Sequence, residues 1–153
     1  MEPDKITVKV KRLNPGFDDI ELPHYATHGS AGMDVRAAIN NEIILKAGEV
    51  DLISTNLVVE IPEGFEIQVR PRSGLAVKHG IGILNSPGTI DSDYRGEIKI
   101  IMMNFSREDF VLKRGDRIAQ LVLSRVYRAN FEENSNLLDT KRGEGGFGHS
   151  GKE

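Results

Sequence analysis

Three segments of the chain place charged or hydroxyl side chains beside glycines, a pattern suited to binding an anion or activating water. They span residues 70–74, 85–98 and 142–151. In the first, Arg72, the Ser73 hydroxyl and the Gly74 N–H would converge on a phosphate if a short helix begins there. The alternative is an ordinary helix N-terminus with Ser73 as its cap, and from this segment alone that alternative is favoured.

The second segment contains a candidate general base. Pro87-Gly88 predicts a turn, so we expect the flanking apolar runs to pair as a hairpin. Asp91 directly follows Ile90, at the expected edge of the core, where a carboxylate can accept a proton from water. The alternative is a solvated loop with surface ion pairs, the usual structure of a run of charged residues.

The third segment lies in a polar, glycine-rich stretch that begins near residue 130. From composition alone, a disordered tail and an arm that becomes ordered on a ligand or partner are supported equally. Arg142 and Phe147 favour the arm, because a plain linker needs neither a cation nor an aromatic ring. Gly143, Gly145 and Gly148 spell G-x-G-x-x-G, but no helix can follow so near the end of the sequence, so a dinucleotide fingerprint is rejected. These glycines still allow backbone N–H groups to approach phosphate oxygens.

Two further polar residues interrupt apolar segments. Asp34 lies between apolar neighbours, and it is either a turn-forming structural residue or a residue that faces the water shell of a metal ion. Gln120 interrupts a predicted strand, where a buried amide needs a partner from the backbone or from a ligand. The four histidines lack the companions that a zinc site requires: His24, His28, His79 and His149.

The elements that must position these side chains are predicted to be strands. Apolar residues alternate with polar ones over 6–10 and 65–69, which is typical of strands with one buried face. Further predicted strands are Ile43–Leu45, Leu52–Glu60, Gly80–Leu84, Glu97–Asn104, Phe110–Leu112 and Arg117–Tyr127. Only Ser73–Lys78 is helix-like. Many short strands separated by Gly and Pro turns indicate a β-sandwich or barrel.

Composition limits the class of protein. A chain of 153 residues suffices for one ordinary domain, and its net charge of −3 provides no overall basic field for nucleic acid. The chain has no cysteine, which excludes disulfides, thiolate metal sites and cysteine nucleophiles. No apolar run approaches the roughly 20 residues of a membrane span, and the polar start is no signal peptide. We therefore expect no membrane partner and a cytoplasmic location.

Five segments, in order, resemble the five motifs of the trimeric dUTPase family. They are AGMDVRAA at 31–38, RPRSGLA at 70–76, GTIDSDYRGEI at 88–98 preceded by Asn85, GDRIAQLVL at 115–123 and RGEGGFGHSG at 142–151. Each motif alone is weak, but five in this order and spacing are very specific. The resemblance covers residues 22–151 and indicates that the glycine-rich end is a functional arm.

The resemblance implies an all-β protein with a jelly-roll-like sandwich or barrel, formed by a single domain over 1–153 with a C-terminal arm from about residue 130. It implies a homotrimer in which each active site is assembled from all three subunits, with the arm of one chain closing over the site of a neighbour. The implied reaction is Mg²⁺-dependent hydrolysis of dUTP to dUMP and pyrophosphate, through water attack on the α-phosphorus.

The same resemblance implies roles for individual residues. Asp91 would orient and deprotonate the attacking water, and Tyr94 would stack on the deoxyribose and leave no room for a 2′-hydroxyl. The residues that would hold the triphosphate and the water are Arg72, Ser73, Gly74, Gln120 and Arg142. The uracil edge would meet Asn85, Thr89, Ile90 and the strand near Lys99. Phe147, followed by Gly148, would stack on uracil, and Asp34 would touch the water shell of a Mg²⁺ ion chelated by the triphosphate. His149 departs from the family pattern, which commonly has a small hydroxyl residue there.

Two other functions remain as alternatives. The dCTP deaminase family shares this fold, but its deaminating Glu lies ten residues after the loop Asp, where this chain has Ile101. An isoleucine can neither donate nor accept a proton. A non-catalytic nucleotide-binding jelly roll would not need Asp91 or Arg142, and the chain has both. The sequence therefore favours dUTP hydrolysis.

Overall fold

Short antiparallel strands dominate the computed structural model, which describes residues 5–146. The strands are β1 (Lys9–Arg12), β2 (Met33–Arg36), β3 (Ile43–Leu45), β4 (Val50–Ser54), β5 (Leu57–Glu60), β6 (Phe65–Arg70), β7 (Ile81–Ile83), β8 (Gly88–Ile90), β9 (Lys99–Asn104), β10 (Phe110–Leu112) and β11 (Arg117–Arg125). A 3₁₀ turn at Pro15–Phe17 and one helix, α1 (Ser73–His79), complete the regular structure of this part of the chain. The predicted all-β class is confirmed.

The strands form four antiparallel groups. A four-stranded sheet has the order β2-β11-β6-β8, and a three-stranded sheet has the order β4-β9-β7. Two-stranded pairs join β1 with β5 and β3 with β10. In residues 5–146, no helix has the length and apolar character needed to cross a membrane.

Alternation along the strands builds the core between these sheets. In β9, Ile100, Met102 and Asn104 are buried, whereas the residues between them are only partly buried. The largest fully buried apolar side chains are Ile53, Ile81, Ile98, Ile100, Met102, Leu112, Ile118 and Val35. Burying a branched aliphatic side chain contributes roughly 1.5–3 kcal/mol, so this cluster provides the main driving force for folding.

The structure differs from the strand predictions at two points. The strand predicted over 52–60 is broken into β4 and β5, because Asn56 adopts a left-handed backbone with φ of 62°. The pairing predicted for the apolar runs that flank residues 85–98 is present, since β7 pairs antiparallel with β9, but their connection also contains β8, which was not predicted and which pairs with β6 in another sheet. The residues from 91 to 98 instead form a loop that connects β8 to β9, which we name the β8–β9 loop.

The helix predicted after β6 is present as α1, but its start differs from the expectation. Arg72 occupies the N-cap position with extended backbone, and no side chain caps the helix. Ser73 is therefore the first helical residue and not the cap. The helix ends at His79 and is capped by Gly80, whose φ of 63° is left-handed. A Cβ at Gly80 would lie 2.9 Å from Ser106 Cβ, so a side chain at position 80 would be strained and crowded.

Beyond β11, residues 126–146 contain no helix or strand. Several large apolar side chains of this stretch are nearly fully exposed, including Phe131 at 96% and Leu138 at 96%. A single copy of the chain therefore leaves this stretch without a packing partner for its apolar groups.

Candidate active site

The register of the four-stranded sheet gathers polar side chains on one face. Asp34 of β2 lies opposite Gln120 of β11, and Gln120 lies opposite Arg70 of β6. Directly opposed residues in antiparallel strands point to the same side of the sheet. Because α1 starts three residues after β6 ends, the sheet also fixes the position of Arg72 and the first turn of the helix.

Asp34 is the centre of an ion-pair cluster. Arg72 Nε donates to Asp34 Oδ1 at 2.9 Å, and Arg117 Nη1 donates to Asp34 Oδ2 at 3.1 Å. Arg72 Nη1 also donates to the carbonyl oxygen of Arg117 at 3.2 Å. The side chains of Asp34 and Arg72 are only 22% and 21% exposed, so one carboxylate holds a largely covered guanidinium in place. Arg117 belongs to this cluster, although no local sequence pattern predicted it.

Gln120 packs closely on the segment before β2. A Cβ at Gly32 would lie 3.4 Å from both Cβ and Cδ of Gln120, which is van der Waals contact with the amide side chain. The half-buried amide therefore has a defined place next to Asp34. The structure brings together Asp34, Arg72 and Gln120 on one chain, with Ser73 and Gly74 directly after Arg72 in the sequence.

A separate cavity of about 430 Å³ lies where β8 and β9 meet the β8–β9 loop. Its polar lining residues are Asn85, Thr89, Tyr94, Glu97 and Lys99, and its apolar ones are Leu52, Val69, Ile83, Ile90, Ile98 and Ile101, with Gly88 between them. This volume is in the range of small-molecule sites, which combine apolar walls with a few polar groups. Every residue predicted to contact uracil or deoxyribose from within residues 5–146 lines this cavity.

The Gly88 backbone brings Asn85 close to the cavity wall. A Cβ at Gly88 would lie 3.1 Å from Val69 Cβ and 3.3 Å from Asn85 Nδ2. Glycine at this position therefore leaves space between β8 and the Asn85 amide. An amide has both donors and an acceptor, so it can match the polar edge of a base.

Tyr94 and Glu97 are linked within the β8–β9 loop. The Tyr94 hydroxyl donates to the Glu97 carbonyl at 3.0 Å, and the Tyr94 N–H donates to the Asp91 carbonyl at 3.1 Å. Glu97 is not among the candidate site residues predicted from the sequence. Its place in the cavity lining could have been suspected only from its position next to the buried Ile98.

Asp91 does not line the cavity in the single chain. Its exposed side chain lies on the other side of the loop, in a hollow of about 720 Å³ that also contains Asp93, Arg95 and Arg128. The arm is also separate, since Arg142 Nε donates to the Gly145 carbonyl at 2.7 Å within its own turn. Phe147, Gly148 and His149 lie outside the described residues.

The described residues suit a metal ion that is carried by a ligand, and not one caged by the protein. No group of three or more potential metal-binding side chains occurs within residues 5–146. Asp34 presents a carboxylate, although both of its oxygens already bind arginines. Mg²⁺ commonly binds through one or two carboxylates together with waters and substrate phosphates, and Asp34 fits that kind of outer contact.

Comparison with known proteins places these features in a family. The family model described as dUTPase matches residues 18–151. Proteins named deoxyuridine 5′-triphosphate nucleotidohydrolase are 55% identical in Rickettsia felis, over 94% of this chain and 96% of that protein, and 55% identical in Fusobacterium nucleatum, over 97% and 99%. Among solved structures, a variant of the dUTPase of Staphylococcus bacteriophage 80alpha with dUpNHpp aligns with a TM-score of 0.79 at 26% identity. That alignment covers 95% of this chain and 98% of the phage chain, and it agrees with the jelly-roll-like fold.

Proposed function

Because this chain belongs to the dUTPase family, it is a dUTP diphosphatase, and we propose that it hydrolyses dUTP to dUMP and pyrophosphate through attack of water on the α-phosphorus. The mechanism rests on one observation, which is that a single chain carries two partial binding sites. One is the arginine cluster at Asp34, and the other is the cavity lined by Asn85 and Tyr94. Together they offer a charged site for phosphates and a largely apolar site for a nucleoside.

In this proposal the cavity binds the nucleoside. The Asn85 amide and the backbone of Thr89, Ile90 and Lys99 contact the uracil edge, while the apolar walls contact the face of the base. The Tyr94 ring covers the 2′ side of the sugar and excludes a 2′-hydroxyl. A polar ligand edge that meets matched donors and acceptors is selected strongly, because a mismatched base leaves buried groups unpaired.

The phosphates are bound by the cluster next to α1. Arg72 supplies positive charge, Ser73 and Gly74 supply donors from the first turn of the helix, and Gln120 holds the water. Asp91 accepts the proton of that water as it attacks. Phosphoryl transfer depends mainly on positioning and on charge stabilisation, and this set of residues provides both.

We propose that dUTP binds as its Mg²⁺ complex. When bound, the ion neutralises phosphate charge and orients the triphosphate. The residue of this chain that would contact its water shell is Asp34. Hydrolysis should therefore stop when the ion is chelated with EDTA and return when Mg²⁺ is restored.

A homotrimer with shared active sites explains two features of the single chain. The outward face of the β4-β9-β7 sheet is apolar, with the cross-strand pairs Val50–Met103 and Leu52–Ile101 flanked by the exposed Phe105. Exposed apolar patches of this kind mark protein–protein contacts. In addition, Asp91 and the arm lie apart from the cluster at Arg72, so a site that combines them needs groups from neighbouring chains. The domain limits of 1–153 and the cytoplasmic location stay predictions from the sequence.

The deaminase alternative is not favoured by any feature of the cavity. Ile101 lines the wall where a deaminating carboxylate would be required, and it cannot transfer a proton. A non-catalytic nucleotide-binding protein would bind dUTP without consuming it.

The deciding experiment incubates the purified protein with dUTP, dCTP, dTTP and UTP in the presence of Mg²⁺ and measures pyrophosphate. We expect release from dUTP alone. Deamination of dCTP, or binding of dUTP without hydrolysis, would refute the proposal. Light scattering on the same sample should give three times the chain mass of 16.9 kDa.

A further inference from the structure

The carboxylate of Glu97 fastens the β8–β9 loop to the corner between β4 and β5. Its Oε1 accepts hydrogen bonds from the Ser54 hydroxyl and from the Asn56 N–H, the latter at 2.8 Å. Its Oε2 lies 3.6 Å from Lys99 Nζ, and only 16% of the Glu97 side chain is exposed. A loop that lines the nucleoside cavity is thus tied to the body of the protein by one covered side chain.

The corner that receives Glu97 is itself rigid. Asn56 is buried with left-handed backbone, and its side chain accepts from the Asn14 N–H at 2.8 Å and donates to the Asn14 carbonyl at 2.9 Å. The hydroxyl of Thr55 donates to the Ile98 carbonyl at 2.6 Å. Within residues 5–146, no buried side-chain nitrogen or oxygen lacks a hydrogen-bond partner. The corner is therefore a fixed reference point for the loop.

Tyr94 rests on the backbone that Glu97 fixes. The Tyr94 hydroxyl bonds the Glu97 carbonyl, and the ring lies directly over Gly96. A Cβ at Gly96 would come within 2.8 Å of Tyr94 Cε2 and closer still to the hydroxyl end of the ring, a distance that real Cβ atoms do not show. The position of the ring is therefore set by residues 96 and 97 and not by packing against the core, since Tyr94 is 45% exposed.

We propose that Glu97 is a positioning residue for sugar selection: its carboxylate fixes the backbone of residues 96–97, and that backbone holds the Tyr94 ring against the 2′ side of the deoxyribose. The inference rests on the proposed function, in which Tyr94 excludes the 2′-hydroxyl. Without the carboxylate, the Ser54 hydroxyl and the Asn56 N–H lose their acceptor, and the loop relaxes from the corner. A displaced ring leaves space for a ribose, so selection against UTP weakens.

The test compares kcat/KM for dUTP and UTP in the unaltered protein and in two variants. In Glu97→Ala the ratio should fall about tenfold, a loss of about 1.4 kcal/mol of discrimination. Glu97→Gln keeps an oxygen that accepts from Ser54 and Asn56, so its ratio should stay near that of the unaltered protein even though the ion pair with Lys99 is gone. Ile53→Val is the control for general destabilisation, because it loosens the buried face of β4 without touching the anchor.

Calorimetric binding of dUDP and UDP gives a second measure of the same selection without catalysis. Glu97→Ala should narrow the affinity ratio of these two ligands, and Ile53→Val should not. If Glu97→Ala does not fold, Ser54→Ala removes one of the two donors to the carboxylate and should shift both ratios in the same direction.

Three results would overturn the inference. The first is an unchanged dUTP-to-UTP ratio in Glu97→Ala and Ser54→Ala. The others are a fall of that ratio in Glu97→Gln, or in Ile53→Val, that equals the fall in Glu97→Ala. The proposed function fails separately, if the unaltered protein releases no pyrophosphate from dUTP.

Discussion

Replacing Asp34 by asparagine separates two roles of this carboxylate. The structure shows it binding Arg72 and Arg117, whereas the family resemblance places it at the water shell of Mg²⁺. A residue that only contacts the ion should not matter to a protein without metal and nucleotide. A residue that anchors two arginines should stabilise the protein under those same conditions.

The size of the effect follows from the contacts. Hydrogen bonds to charged groups contribute about 1.5–3 kcal/mol each, and a partly exposed pair contributes less because water screens it. Asparagine keeps one oxygen for Arg72 but loses the negative charge and presents an NH₂ group to Arg117. We therefore expect Asp34→Asn to lower the free energy of unfolding by about 1–2 kcal/mol, which corresponds to about 2–8 °C in Tm for a chain of this size.

The assay is thermal unfolding in EDTA, without nucleotide, at one protein concentration because assembly makes Tm depend on concentration. The matched control is Glu42→Gln, since Glu42 pairs with Lys113 at 3.4 Å but both side chains are more than half exposed. Exposed pairs contribute about 0–1 kcal/mol, so this control should lie close to the unaltered protein. The anchoring role is refuted if Asp34→Asn matches the control, or if a difference appears only when Mg²⁺ and dUDP are added.

Three further predictions concern catalysis. Asp91→Asn should lower kcat for dUTP by about 10²–10⁴-fold, because the amide cannot accept the proton of the water, while the dUTP affinity measured by calorimetry should not change. Near-normal turnover would refute the assignment of Asp91 as the base. Tyr94→Ala should narrow the kcat/KM ratio of dUTP over UTP, and an unchanged ratio would place sugar discrimination elsewhere. A chain that ends at Lys141 should keep its oligomeric mass in light scattering, since the core strands stay intact. It should lose most of its pyrophosphate release, because Arg142, the proposed phosphate ligand of the arm, is missing. Full activity of this truncated chain would show that the arm is only a tail.

Local patterns predicted most of the strands and one of their pairings. Period-two alternation located β6, since a half-buried strand imposes that pattern on its own sequence. The expected pairing of the runs that flank residues 85–98 is that of β7 with β9, whereas β8 and its pairing with β6 were not predicted, because the choice of partner depends on which faces the folded sheets bury. The break at Asn56 was missed for a related reason, since its side chain is held by Asn14, far away in the sequence.

The candidate site also contains some residues that local patterns predicted and others that they did not. The motif residues were found from their own segments, whereas Arg117 and Glu97 gain their roles from distant partners. Arg117 meets Asp34 across 83 positions, and Glu97 meets Asn56 across 41. No local spacing encodes such a contact, so these positioning residues become visible only in the folded chain.

The contacts around each group also indicate when it becomes ordered. Arg72 is held by a carboxylate of the four-stranded sheet, and Tyr94 is held by a loop tied to a rigid corner, so both side chains have defined positions in the single chain. Within residues 5–146, the one side-chain hydrogen bond of Arg142 goes to the Gly145 carbonyl of its own turn, and residues 126–146 contain no strand. If the arm closes over a bound substrate, as the family resemblance implies, the arm would lose most of the conformational entropy, and its glycines would keep the closure reversible. In the proposed mechanism, a site arranged in this way would select the nucleoside and the phosphates with its rigid parts, and it would add Arg142 when the arm closes over a bound substrate.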